Sequence, residues 1–178
     1  MLTGLHDQNS TGTKGQEVLF KLLGPKYEKC HPKDGDGIYK GRNSSYTYEV
    51  KTTDLELDSR GGINQVRAIK CIVVIVYFRK SGLWAVLSPF DVFNLTASKN
   101  RGQHNEVVIE CSQISINSIP KTCICSRDTI IKKLESMCTL FETQEYSDVK
   151  NECNNILNQL KALNETSKKT IQAMVKCK

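Results

Sequence analysis

The chain has 178 residues, 39% hydrophobic and 25% charged, which suits one globular domain and excludes both a disordered chain and a small scaffold held by disulfides. Its 25 Lys and Arg outweigh 19 Asp and Glu for a net charge of +6, a balance that favours a polyanionic partner because such side chains displace counterions from phosphates. The longest apolar run, residues 71–78, is far shorter than the roughly 20 residues that span a bilayer, and the polar segment 1–16 lacks the apolar stretch of a secretory leader; a cytoplasmic protein with no membrane partner and eight free cysteines is expected.

In chain order, residues 1–14 read as a mobile or DNA-contacting arm. Residues 15–24 predict a short helix with Val18, Leu19, Leu22 and Leu23 as its stripe, ended by Gly24 and Pro25. A short strand is expected over 27–31, turn chemistry over 32–37 and a strand over 38–40. Residues 46–52 alternate, with Tyr46, Tyr48 and Val50 on one face and Thr47, Glu49 and Lys51 on the other. A polar loop follows, then a helix over 63–70. Residues 71–78 read as a buried central strand and 83–87 as its hairpin partner. A short helix starts near Pro89, residues 96–106 form a polar loop, and 107–111 a further strand. From Ser126 the pattern is helical, with stripes over 128–143, 146–163 and 166–178. The order implies an α/β or α+β domain, a mixed β-sheet flanked by helices. Residues 1–125 are the expected core, and 126–178 a helical extension packed on it or used for dimerisation. Cys123 and Cys125 are one residue apart, a poor spacing for zinc, and Cys30 and His31 are adjacent rather than spaced.

The chemistry concentrates on Asp36 and, after twelve intervening residues, Glu49-Val50-Lys51. Hydrolysis of a phosphodiester needs a cation on the non-bridging oxygens, an oriented water and a stabilised leaving oxygen. Asp36 opens one strand and Glu49 lies on its expected hairpin neighbour, so two carboxylates meet as hard oxygen ligands for Mg²⁺. Lys51 shares the face of Glu49, about 6.5–7 Å along the strand, where its ammonium can position a water. The carbonyl of Val50 is a further metal ligand. Asp34 competes with Asp36 for the ligand position; Asp36 is nearer the strand.

These residues resemble the P-D…(D/E)-x-K nuclease superfamily, over roughly residues 15–95. The resemblance implies a restriction-endonuclease-like sheet with a C-terminal helical tail outside the shared core. It also implies Mg²⁺-dependent DNA hydrolysis, with Mn²⁺ as a substitute ion, most like that of a type II restriction endonuclease. Glu17 looks like the acidic residue that some branches supply from the first helix, and Gln65 like the glutamine that follows the E-x-K strand in others. The pattern departs from the family in one respect: Pro32 is not adjacent to Asp36, and Gly37 follows it.

Lys99, Asn100, Arg101, Gln103, His104 and Asn105 form a candidate recognition loop, because Arg reads guanine and Asn or Gln reads adenine. Lys14, Arg60 and Arg67 are candidate phosphate contacts. The expected partners are double-stranded DNA and a second copy of the chain, with a cognate DNA methyltransferase as a genetic neighbour. A junction resolvase, a homing or repair nuclease, a one-strand-cutting subunit and a non-catalytic DNA-binding module remain alternatives.

Overall fold

Two segments carry the sheet because their side chains suit a pleated, half-buried surface: Ser45–Thr53, which alternates, and Val73–Phe78, apolar on both faces. The computed structural model describes residues 4–32, 34–67, 70, 72–96 and 112–176. In chain order the elements are α1 (Gly4–Leu23), β1 (Tyr27–Glu28), β2 (Gly37–Lys40), β3 (Ser45–Thr53), β4 (Gly62–Val66), β5 (Val73–Phe78), β6 (Leu83–Leu87), α2 (Pro89–Thr96), β7 (Ser112–Ser115), β8 (Ile124–Cys125), α3 (Ile130–Leu140) and α4 (Gln144–Lys176). Six strands form one sheet in the order β1-β2-β3-β5-β6-β8; β4 and β7 form a separate pair. β3 and β5 are parallel and the remaining pairings are antiparallel, so the sheet is mixed and flanked by helices.

Alternation divides the core into two layers. Tyr46, Tyr48 and Val50 of β3, Val73 and Ile75 of β5, and Trp84 and Val86 of β6 face α1 and α3. Val74, Val76 and Phe78, with Ala85 and Leu87, face α2 and the β4–β7 pair. Register fixes the side of the polar residues: Glu49 lies beside Val74 and Lys51 beside Val76, so both belong to the second face. Ser88 and Asp91 close the N-terminus of α2 reciprocally, the Asp91 amide donating to Ser88 Oγ at 3.1 Å and the Ser88 amide to Asp91 Oδ2 at 2.9 Å. Tyr146 and Cys153 of α4 are buried in a third cluster with Phe90, Phe141 and Val149.

The expected mixed sheet, the β2–β3 and β5–β6 hairpins and the helix at Pro89 all form. Four local expectations are corrected. The N-terminal arm is helical from Gly4, because extending a helix already nucleated and packed at Leu19 costs little. The strand expected over 27–31 is confined to Tyr27–Glu28. The helix expected over 63–70 is instead β4: its register shifts between Ile63 and Val66, and Gln65 takes φ 58°. That bulge re-phases the alternation, so Ile63 and Val66, three residues apart, both turn inward as they would on a helix. The stripes over 146–163 and 166–178 belong to one helix, α4, because no Gly or Pro interrupts residues 144–176. The strand expected over 107–111 lies outside the described residues.

Candidate active site

The site is built where β2 runs out beside β3. The ladder between them ends at Gly37 opposite Tyr48, and the turn before it crosses β3 at close range. A Cβ on Gly35 would lie 2.7 Å from the Tyr48 carbonyl oxygen, so glycine permits the approach. The turn delivers Asp36, whose amide donates to the Tyr48 carbonyl at 2.9 Å. Its Oδ2 accepts the Val50 amide at 2.7 Å. The amide and carbonyl of one strand residue leave on the same side. The Val50 carbonyl therefore points to the same edge as the Asp36 carboxylate, beyond the end of β2.

Glu49, the next position along β3, is buried at 8% exposure. Its Oε1 stands 2.7 Å from Lys51 Nζ. Its Oε2 is buried and has no hydrogen-bond partner among the described residues. Burying a carboxylate oxygen without a partner costs on the order of 1–3 kcal/mol or more. The ion pair with Lys51 offsets the charge on one side of the carboxylate and leaves the other side unmatched.

The donor set is two carboxylates and a backbone carbonyl, all hard oxygens. Mg²⁺ accepts one or two protein carboxylates and keeps several waters, so the residues fit that ion. Among the described residues no group of three or more His, Cys, Asp or Glu could hold a metal. Cys123 precedes β8 and Cys125 ends it. Both cysteines are buried, and burial is the main cause raising their thiols above the ordinary value, that of Cys125 to about 11.

The Asp36 charge is felt nearby. Burial pushes the Tyr48 hydroxyl up, and Tyr27 and Asp36 add to the rise. Burial also raises the Cys30 thiol, assisted by Asp34 and Asp36. Asp34 itself is exposed and its amide donates to the His31 carbonyl at 2.8 Å, which places it outside the β2–β3 contact that Asp36 makes.

Asp36 is held to the Val50 amide and Glu49 to Lys51 two residues along β3; Glu17 and Gln65 stand elsewhere, on α1 and at the β4 bulge. Gly15 of α1 faces β3 so closely that a Cβ there would meet Thr52 Oγ1. Thr52 lies on the face opposite Glu49, and residues two apart on a helix point in different directions. Glu17 is accordingly exposed. Gln65 is exposed at the β4 bulge rather than on a helix. Lys14 and Arg60 are exposed and Arg67 half-buried. Lys99, Asn100, Arg101, Gln103, His104 and Asn105 lie outside the described residues. Gly35 escaped the sequence reading, although the run Asp34-Gly35-Asp36-Gly37 was its visible signal. No family model, curated protein or solved structure matches the chain.

Proposed function

We propose that the protein is a Mg²⁺-dependent deoxyribonuclease with Asp36, Glu49 and Lys51 at its centre. The observation that carries this reading is Glu49 Oε2, a buried carboxylate oxygen without a hydrogen-bond partner among the described residues, on the side chain that Lys51 Nζ pairs and one residue from the Val50 amide that Asp36 holds. Asp36, Glu49 and the Val50 carbonyl would hold the ion, which when bound supplies Lewis-acid stabilisation of phosphoryl oxygens. Lys51 donates a hydrogen bond from its ammonium and keeps a water oriented on the Glu49 face. Burial of Glu49 lowers the local dielectric, so its charge acts more strongly than on the surface. Asp36 fixes the β3 edge through Val50, which keeps Glu49 and Lys51 aimed at one point.

The mixed sheet with α1 on one face and α2 on the other is compatible with a restriction-endonuclease-like core. Within that reading, the finer proposal is a sequence-specific enzyme that cuts duplex DNA as a homodimer, because two-strand cleavage by one centre per chain needs two copies. The testing experiment is plasmid cleavage with Mg²⁺, with Ca²⁺ in its place, and with Glu49→Gln. Discrete Mg²⁺-dependent fragments that the variant fails to make support the proposal. Failure to cut duplex, junction or single-stranded DNA in Mg²⁺ or Mn²⁺ sinks it.

One observation favours a second reading, a non-catalytic DNA-binding module. Asp36 Oδ2 and Lys51 Nζ are both already engaged within the protein. In that reading the cluster simply closes the end of the β2–β3 ladder, and DNA binding persists without any metal-dependent cleavage.

A further inference from the structure

A cavity of about 520 Å³ lies between the N-terminal end of β3 and α4. Its volume falls in the range of small-molecule sites. Tyr146, Lys150 and Asn154 line it from α4; at intervals of four residues they share one helix face. Lys70 and Thr47 line it from the sheet side, and Asp34 from the turn before β2. The lining thus presents two ammonium groups against one carboxylate, with the hydroxyls of Ser45 and Thr47, one amide, three aromatic residues and two aliphatic ones.

Two residues of the lining lie close in the chain to the candidate centre. Thr47 and Glu49 lie on the same face of β3, two residues and therefore about 6.5–7 Å apart. Asp34 is two residues from Asp36. Lys70 immediately precedes the segment leading into β5, whose Val74 flanks Glu49. A phosphate drawn to the two lysines therefore lies one short step along β3 from Glu49.

We infer that this cavity binds one unpaired nucleotide of the substrate strand, next to the phosphate that faces Glu49. Lys70 and Lys150 take the phosphate, and Asn154 and Asp34 offer donor and acceptor atoms to the base edge. A paired duplex is too wide to enter, so the base has to leave its stack or belong to a single-stranded end. The direction of the strand toward Glu49 rests on the nuclease reading; occupancy of the cavity is measured without it.

The test is equilibrium binding of a fluorescein-labelled eight-nucleotide oligothymidylate and of a blunt duplex, in EDTA, followed by anisotropy. Lys150 and Asn154 are exposed, so Lys150→Glu and Asn154→Ala are expected to fold, and thermal unfolding checks that they do. Lys161→Glu, exposed further along α4, makes the same charge change outside the cavity. The expected result is binding of the single strand in preference to the duplex, weakened at least tenfold by Lys150→Glu, severalfold by Asn154→Ala, and less than twofold by Lys161→Glu. Equal loss in both charge variants, or no binding by the wild type, overturns the inference. Competition by thymidine monophosphate as effective as by the oligomer overturns the strand and leaves a free-nucleotide site. Glu49→Gln separates the two proposals. Cavity binding with no cleavage by any preparation defeats the nuclease reading alone; cleavage that persists with Lys150→Glu binding unchanged defeats the cavity alone.

Discussion

Asp36 Oδ2 accepts the Val50 amide at 2.7 Å, so a side chain from the turn before β2 completes the ladder that β2 itself leaves short. One carboxylate therefore does two things: it secures the edge of β3 and stands beside the Val50 carbonyl. Asp36→Ala is expected to lower stability by about 1 kcal/mol, the net worth of one hydrogen bond, and to lower Mg²⁺-dependent cleavage at least 100-fold. Denaturant unfolding and a cleavage time course measure the two separately. A cleavage loss no larger than the unfolded fraction explains would make Asp36 structural only.

Glu49 Oε2 is a buried acceptor without a hydrogen-bond partner among the described residues, as is the Tyr48 hydroxyl oxygen. Mg²⁺ at a hundred times its dissociation constant is expected to stabilise the wild type by about 2.7 kcal/mol through mass action. Glu49→Gln keeps an oxygen for Lys51 and removes the charge, so the metal-dependent gain is expected to vanish while metal-free stability changes little. Thermal unfolding with and without Mg²⁺ reads both, and an equal gain in the variant would place the ion elsewhere.

Lys51 is paired with Glu49 on its strand face. Lys51→Ala is expected to abolish cleavage and leave DNA affinity within about threefold, because most affinity comes from phosphate contacts elsewhere. Parallel loss of both in a folded variant would contradict that division.

Gly35 passes so close to the Tyr48 carbonyl that a Cβ has no room. Gly35→Ala is expected to cost roughly 1–3 kcal/mol by forcing the turn away from β3, and to reduce cleavage because Asp36 moves with it. Unchanged stability and activity would mean that the turn is not held at this distance.

Glu135 joins α3 to the β2–β3 hairpin. It accepts the Arg42 amide at 2.9 Å, the Tyr39 hydroxyl at 2.7 Å and Lys26 Nζ at 3.0 Å. Those hydrogen bonds, the Arg42 amide first, hold its carboxyl at about 2, below the ordinary 4.5. A depressed folded value means that the stabilisation is complete above 4.5 and is lost as pH falls through about 2. Glu135→Gln is expected to flatten the fall in stability across that window. An acid unfolding curve of the same slope in both proteins would assign acid lability to other carboxylates.

Oligomeric state tests the duplex-cutting reading. A light-scattering mass near the monomer's 20.0 kDa at micromolar concentration would remove the homodimer from it.

Much of the sheet was legible in the sequence because its signals are local. Alternation over Ser45–Thr53 set Glu49 and Lys51 on one face, and the unbroken apolar run ending at Phe78 marked the strand buried on both sides. The positions of Asp36, Glu49 and Lys51 along their elements needed only the period of a strand and a short hairpin. Other properties depend on partners distant in the chain. Ile63 and Val66 fit a helix equally well until β7 supplied a partner and the bulge at Gln65 turned both inward. Glu17 fits a helix that delivers an acid until Gly15 is seen to claim the face toward β3. The cavity exists only because α4 packs back over the start of β3. Sequence periodicity determined which face each residue takes on its own element. Tertiary packing decided which faces meet, because that choice depends on close approach between segments far apart in the chain.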